Sequence, residues 1–442
     1  MPQNTVNQQS TGDIDVEQLD AYAARVLATG MCPAVAVAVC DRERTLVART
    51  YGAAPSDALW PIASIGKSCT AVIALQLAEE GLLDLHAPVS AYVSWLSLGG
   101  ACAPVTMHHL LTHTAGLVES SDLAPASTYD VIALASLQDG PAAGERRLYS
   151  NVGYRAAGVV LEAVGGRPYG ELVQARVLDR IGLRHAAAVM VHDTRRRLPG
   201  GHVPFYDDRP WRGEHGLAPA PWVESAEADG CQCMSLEDLA AYLQALWAGS
   251  ALLAPSSLEL MKTAQPPHDE EWAHGYGLDV HSDGFGHAGD MLGYVSFMRA
   301  DTAAGVGVVA FANGLAGARA MGEAARAIAA GRAPAAPELE VEAPLVDDGS
   351  CPAEWAAYPG RYRSHNPWLP TFVVGARRGA LVMGSDWMDG SRRRPLTAIR
   401  GGLFRIDEQA WSPERLSFDT VLDGRAQRAW LNGMAYYRAF TG

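Results

Sequence analysis

Lysine is almost absent from this chain. Of its 35 Lys and Arg residues, only Lys67 and Lys262 are lysine, so the sequence uses arginine wherever a permanent positive charge suffices. A cationic surplus is missing too. With a net charge of −14 and a pI near 5.4 there is no excess of cations to displace counterions from a phosphate backbone, which argues against nucleic acid as a partner. The runs Arg195–Arg197 and Arg392–Arg394 are short and read as solvated loop charge. No stretch of 18 uninterrupted apolar residues occurs, and the opening MPQNTVNQQSTGDIDVEQLD carries neither a basic nor an apolar leader segment. No membrane partner is expected, and the expected compartment is the cytoplasm. The seven cysteines (Cys32, Cys40, Cys69, Cys102, Cys231, Cys233, Cys351) are odd in number and lack C-x-x-C spacing. A disulfide framework and a cysteine metal site are both disfavoured, and the residues, Cys231 and Cys233 included, read as small buried hydrophobes.

What remains is ordinary globular composition, 442 residues at 48% hydrophobic and 19% charged, enough for two or three units sharing one ligand site. The stretch WPIASIGKSCT, residues 60–70, carries the chemistry. As a phosphate loop it fails, because the glycine required five residues before Gly66-Lys67 is Pro61. As Ser-x-x-Lys it places one of two lysines three residues after Ser64. An amine can lose its proton when desolvated and a guanidinium cannot. The run SIGKSCTAVIALQLAEEG has apolar residues at Cys69, Val72, Ile73 and Leu77 and stops at Gly81, which predicts an amphipathic helix with Ser64 at its start. Residues three apart share a face, so Ser64 Oγ and Lys67 Nζ can meet at the positive helix end. An exposed helical lysine is the plainer alternative.

Further along stand TMHHLLTHTAGL (106–117), YSN (149–151) and GHAGDMLGY (286–294). Thr106 caps a short helix, Leu110 and Leu111 form its buried face and Thr114–Gly116 turn after it. His108, His109 and His113 are therefore read as structural and not as metal ligands. Tyr149 and Asn151 share a face of an extended segment ahead of a helix from near Val152 to Gly165-Gly166. DGFGHAGDMLGYVSFMRADTAAGVGVVAFANG reads as a hairpin followed by a buried strand, with Gly289 permitting close approach of substrate to the strand edge. The segment 186–230 is long and irregular, and its Phe205, Tyr206, Trp211 and Trp222 suggest a wall of an acyl pocket.

Together these motifs resemble the class C β-lactamase and DD-peptidase (penicillin-binding-protein-like) superfamily of serine hydrolases over roughly residues 15–330. The resemblance implies an α/β fold, an antiparallel sheet flanked by helices plus a helical subdomain with the site in the groove between. It also implies Ser64 as nucleophile, Lys67 as base, and Tyr149 as a second acid/base acidified beside Lys67. Asn151 would orient Lys67 and the acyl group, and the Ser64 and Asp290 N–H groups would form the oxyanion hole. Where such relatives carry Lys-Thr-Gly this chain has His287-Ala288-Gly289, so recognition of a substrate carboxylate should be weak. Esterases, D-aminopeptidases and penicillin-binding-protein-type thioesterases show a similar pattern.

After residue 332 the Pro- and acid-rich stretch 333–350 reads as a linker. Residues 351–442 become short alternating strands between turns, a small antiparallel β-barrel resembling the lipocalin-like domain of some of these hydrolases. Its five tryptophans are read as barrel core, and its role as covering the groove or supporting a dimer. The expected activity is acyl transfer from an ester, thioester or amide through an acyl-enzyme on Ser64, to water or to an amine, by a monomer or homodimer. D-peptidase or weak β-lactamase activity is the alternative within enzymes, and a silent binding protein the alternative outside them. No cofactor or metal is called for.

Overall fold

The computed structural model describes residues 14–98, 104–119, 140–209, 211–249, 252–266, 273–337, 348–384 and 393–439. Cys102, Trp387 and residues 338–347 of the expected linker lie outside them. Strand β1 (Ala34–Cys40) reads AVAVAVC and is buried at every position. Ala34, Ala36, Ala38 and Cys40 face one core while Val35, Val37 and Val39 face another, so the period-two alternation covers both faces of the sheet.

The sheet adds β2 (Thr45–Gly52), β3 (Ala273–His274), β4 (Asp279–His281), β5 (Gly284–Met291), β6 (Tyr294–Asp301) and β7 (Val306–Ala312) in the order β2-β1-β7-β6-β5-β4-β3. All its pairings are antiparallel. One face is covered by α1 (Val16–Ala28) and α6 (Ala318–Ala329). The other is covered by α2 (Gly66–Glu79) and α5 (Leu236–Ala248), beyond which α3 (Met107–Leu111) and α4 (Asn151–Gly165) extend the helical region.

Capping follows the sequence. Thr106 and His109 form a reciprocal capping box on α3, Ser150 accepts from Gly153 N at 3.0 Å to open α4, and Gly166 closes α4 at φ 67°. One expectation is corrected. Helix α2 is not amphipathic, since every residue from Gly66 to Leu77 is buried. It lies between the sheet and α4, so its polar side chains need internal partners. Ser68 donates to Ile65 O (2.6 Å) and Thr70 to Ala228 O (2.7 Å).

The C-terminal strands β8 (Gly360–Arg363), β9 (Thr371–Arg377), β10 (Ala380–Gly384), β11 (Arg394–Arg400), β12 (Leu403–Ile406), β13 (Arg415–Leu422), β14 (Arg425–Leu431) and β15 (Met434–Arg438) close into a barrel. Its interior is filled, as small barrels are, by Tyr362, Phe372, Phe404, Phe418 and Tyr436 with Leu381, Ile406 and Leu416. Of the tryptophans expected there, Trp355 packs against this core, whereas Trp430 and Trp368 do not join it. Trp355 packs edge-on to Phe404, and the Trp430 indole N–H finds its acceptor, the Asp419 carboxylate, at 2.9 Å outside the core. Trp368 leaves the barrel altogether and packs against the first domain. No helix among the described residues is long and apolar enough to cross a membrane.

If the barrel is solid, truncating Phe404 to alanine should cost about 3–5 kcal/mol, read as a lowered denaturation midpoint. An unchanged midpoint would mean that the interior is not packed.

Candidate active site

The chain enters α2 through a turn in which Ala63 holds φ 48°, a conformation that costs a non-glycine residue about 1–3 kcal/mol. This turn presents half-buried Ser64 above the helix N-terminus. Two contacts keep it there. Ser296 Oγ donates to Ile62 O at 2.8 Å, and Gly289 on β5 lies so close that an added Cβ would stand 2.4 Å from Ile62 O and 2.2 Å from Ser296 Oγ. Gly289 therefore answers to the nucleophile turn pressed on it, not first to substrate.

Lys67 is completely buried, and its Nζ donates to Ser64 Oγ at 3.0 Å and to the Asp229 carbonyl at 2.6 Å. Gly230, at φ 144°, lets that carbonyl approach, since a Cβ there would lie 2.4 Å from Ala63 O. Burial pushes the Lys67 amine down to about 8; Asp229 opposes the shift and the Arg155 charge adds to it. Arg155 is itself buried and paired with the Asp229 carboxylate at 3.2 Å.

Tyr149 OH donates to Ser64 Oγ at 2.8 Å, and Lys67 Nζ stands 4.9 Å from its ring centre. The expected acidification does not occur. Burial drives the phenol above its ordinary value, only partly offset by the bond to Ser64, so Tyr149 is held protonated. Asn151 begins α4, and neither hydrogen bond of Lys67 goes to it. The Asp229 carbonyl takes the orienting place that Asn151 was expected to fill.

Behind Tyr149 lies a layer of buried imidazoles, of which sequence reasoning assigned only His287 to the site. His113, read there as structural, lies tilted against Tyr149 with ring centres 4.3 Å apart, with His274 4.9 Å beyond and His287 6.1 Å from His274. Their first partners fix the tautomers. His113 Nδ1 accepts from Ser150 N (3.0 Å), whereas His287 Nδ1 donates to Ala288 O (2.5 Å) and His274 Nδ1 to Asp279 (3.2 Å). Burial pushes His287 down to about 4 and His113 well below the usual imidazole range, so both are neutral at pH 7. Among the described residues no group of three His, Cys, Asp or Glu could hold a metal ion.

Strand β4 pairs with β5 only at Gly284–Gly286, so among the described strands one edge of residues 287–291 faces the groove, with Asp290 exposed on it. The expected wall divides. Trp222 packs with Ala63, Met190 and Met291 beside the nucleophile turn. Trp211 is buried against Gly30 and donates to Gly216 O at 3.2 Å, and Tyr206 is 39% exposed among Phe205, His215 and Arg209. These neighbours separate both from the Ser64 cluster.

A family model described as Beta-lactamase matches residues 19–333. Among curated proteins the chain is 24% identical over 185 residues to a teichoic acid D-alanine hydrolase of Staphylococcus aureus, covering 40% of this chain and 45% of that protein. The chain thus spans less than half the length of that relative. Among solved structures, the octameric penicillin-binding protein homologue from Pyrococcus abyssi superposes with TM-score 0.66 at 21% identity, covering 96% of this chain and all of that one. D-amino acid amidase from Ochrobactrum anthropi SV3 gives 0.59 at 22% identity over 67% of this chain and 91% of that one. At these identities the likeness is one of fold.

Replacing Gly289 with alanine should displace the nucleophile turn. A shift of about 1 Å at a reacting atom costs on the order of 100-fold in rate, so covalent labelling of Ser64 should slow by about that factor while circular dichroism stays native. Labelling at the wild-type rate would show the contact to be slack.

Proposed function

We propose, from the premise that the chain belongs to the Beta-lactamase family of serine hydrolases, that it transfers acyl groups from esters or amides through an acyl-enzyme on Ser64. The observation that carries this is Ser64 Oγ receiving hydrogen bonds from both a buried amine (3.0 Å) and a buried phenol (2.8 Å). Lys67, in its neutral form, takes the Ser64 proton as Oγ attacks the carbonyl carbon. Tyr149, protonated at rest, gives its proton to the leaving group and regains one from the Lys67 ammonium. The Ser64 and Asp290 N–H groups hold the developing oxyanion, each such donor being worth about 2.7–4 kcal/mol. Asn151 and His287 border the leaving group. Water reverses the sequence to release the acid, and an amine entering the same way gives an amide.

Two features support an acyl donor without a carboxylate over a carboxylate-bearing antibiotic: His287 is neutral, and Ala288 offers no hydroxyl. Relatives named for D-alanine and for D-amino acid amides make D-aminoacyl esters and amides the first donors to try.

A fluorophosphonate should add once, on Ser64, by intact mass, and p-nitrophenyl esters should turn over with kcat/KM well above that for nitrocefin. Comparable nitrocefin hydrolysis would overturn the substrate reading. Small primary amines supplied during turnover should divert part of the product to amide; strictly hydrolytic products would leave water as the acceptor.

With the amine near 8, about a tenth of Lys67 is neutral at pH 7. Acylation should therefore climb about tenfold per pH unit below 7 and level off above 8. Lys67→Arg, which keeps the charge but not the lone pair, should lose on the order of 100-fold or more. Retention of over a tenth of the wild-type rate would remove Lys67 from the mechanism.

A further inference from the structure

Residues 287, 289 and 291 lie on one face of β5, with side-chain positions about 7 Å apart. Each meets a different part of the site. His287 lies 6.5 Å from the Tyr149 ring, Gly289 touches the Ile62–Ala63 backbone before the nucleophile, and Met291 packs in a cluster with Ala63, Met190, Trp222 and Trp368. The Tyr149 end serves the leaving group in the reading above. The Met291 end is then where the acyl substituent lies.

Trp368 comes from the barrel, on the loop between β8 and β9. That loop is braced within itself and by β15, since Trp368 N donates to Asn366 Oδ1 (3.0 Å), Ser364 N to Pro370 O (3.0 Å), and Tyr436 OH of β15 to Leu369 O (3.1 Å). The strands on either side grip the 186–230 segment. Arg361 Nη2 donates to Asp208 O at 2.7 Å, Thr371 Oγ1 donates to Asp207 O at 3.0 Å, and Arg363 is ion-paired with the Asp207 carboxylate. A tryptophan held this way loses little freedom when a ligand binds against it. Both Trp222 and Trp368 are only partly buried, and the Trp222 indole N–H is buried with no hydrogen-bond partner. Two indoles and two thioethers make a polarisable surface suited to an aromatic ring, and the indole N–H supplies a donor for an acceptor atom on it.

We propose that Trp368, delivered by the barrel, completes with Trp222 and Met291 a subsite for a large apolar, aromatic-sized acyl substituent, so that the second domain sets the acyl specificity of the first. This rests on the acyl-enzyme reading, and the test separates the two. Wild-type enzyme should show a kcat/KM for p-nitrophenyl 3-phenylpropionate at least tenfold above that for the acetate. Trp368→Ala should lower that ratio at least tenfold, mainly through KM, while Trp368→Phe holds it within about threefold and Trp430→Ala, whose indole bonds Asp419 within the barrel, leaves it at the wild-type value. Should Trp368→Ala fail to fold, wild-type inhibition by 2-phenylethylboronic acid against methylboronic acid gives the same reading, at least tenfold tighter for the aryl compound. A ratio indifferent to Trp368, or equal inhibition by the two boronic acids, overturns this inference alone. Absence of both Ser64 labelling and ester turnover in wild type overturns the acyl-enzyme reading and this inference with it.

Discussion

A primary amine taken wholly out of water is the constraint around which this molecule is arranged. Lowering the Lys67 amine from its ordinary 10.5 to about 8 corresponds to roughly 3 kcal/mol of disfavoured charge, which the fold must offset elsewhere. It does so with one carbonyl, Asp229 O at 2.6 Å, whose own side chain is occupied by Arg155. Holding that carbonyl in place requires Gly230 against the nucleophile turn, and the turn in turn requires Gly289 on β5. The sheet, the helix start and the 229–230 segment are thereby tied to one nitrogen. The rarity of lysine fits this economy, because only an amine can be brought close to neutrality by burial.

What was legible in the sequence is whatever a short stretch can encode. Ser64 and Lys67 three apart, the Thr106 and Ser150 caps, the glycine ending α4 and the alternation of the barrel strands are local patterns, and the fold contains each of them. Tertiary partners were not legible. Asp229 lies 162 residues from Lys67, and nothing in its surroundings marks its carbonyl as an acceptor. His113 was read as structural, just ahead of the turn at Thr114–Gly116, and nothing local placed its ring against Tyr149. Helix α2 looked amphipathic because Cys69, Val72, Ile73 and Leu77 recur at helical spacing; in the fold its other sides, Gly66, Ala71 and Ala74 included, are buried as well.

The aromatic wall shows the same limit from the other side. Composition singled out Tyr206, Trp211 and Trp222 alike, since aromatic content shows that a segment packs and not against what. Trp211 packs under Gly30, Tyr206 forms a surface cluster, and only Trp222 joins the nucleophile's surroundings. Its companion comes from a domain that begins more than a hundred residues later.

That companion changes what the barrel is for. A closed barrel filled by Phe and Tyr has no interior left for a ligand, so its contribution must be made at the surface, where the loop before β9 and the loop before β13 meet the first domain. The second of these places buried Glu414 where its carboxylate accepts from Glu119 N at 2.9 Å, just ahead of α4 and Tyr149. The barrel thus meets the first domain at two places, bracing Glu119, whose carbonyl accepts from Asn151 N at the start of α4, and supplying an indole to the cluster around Met291. A rigid body fixed at two points along a groove sets the groove's length and width together. If Trp368 lines the acyl subsite as proposed, substrate size depends on how the two domains are docked as well as on the residues around Ser64.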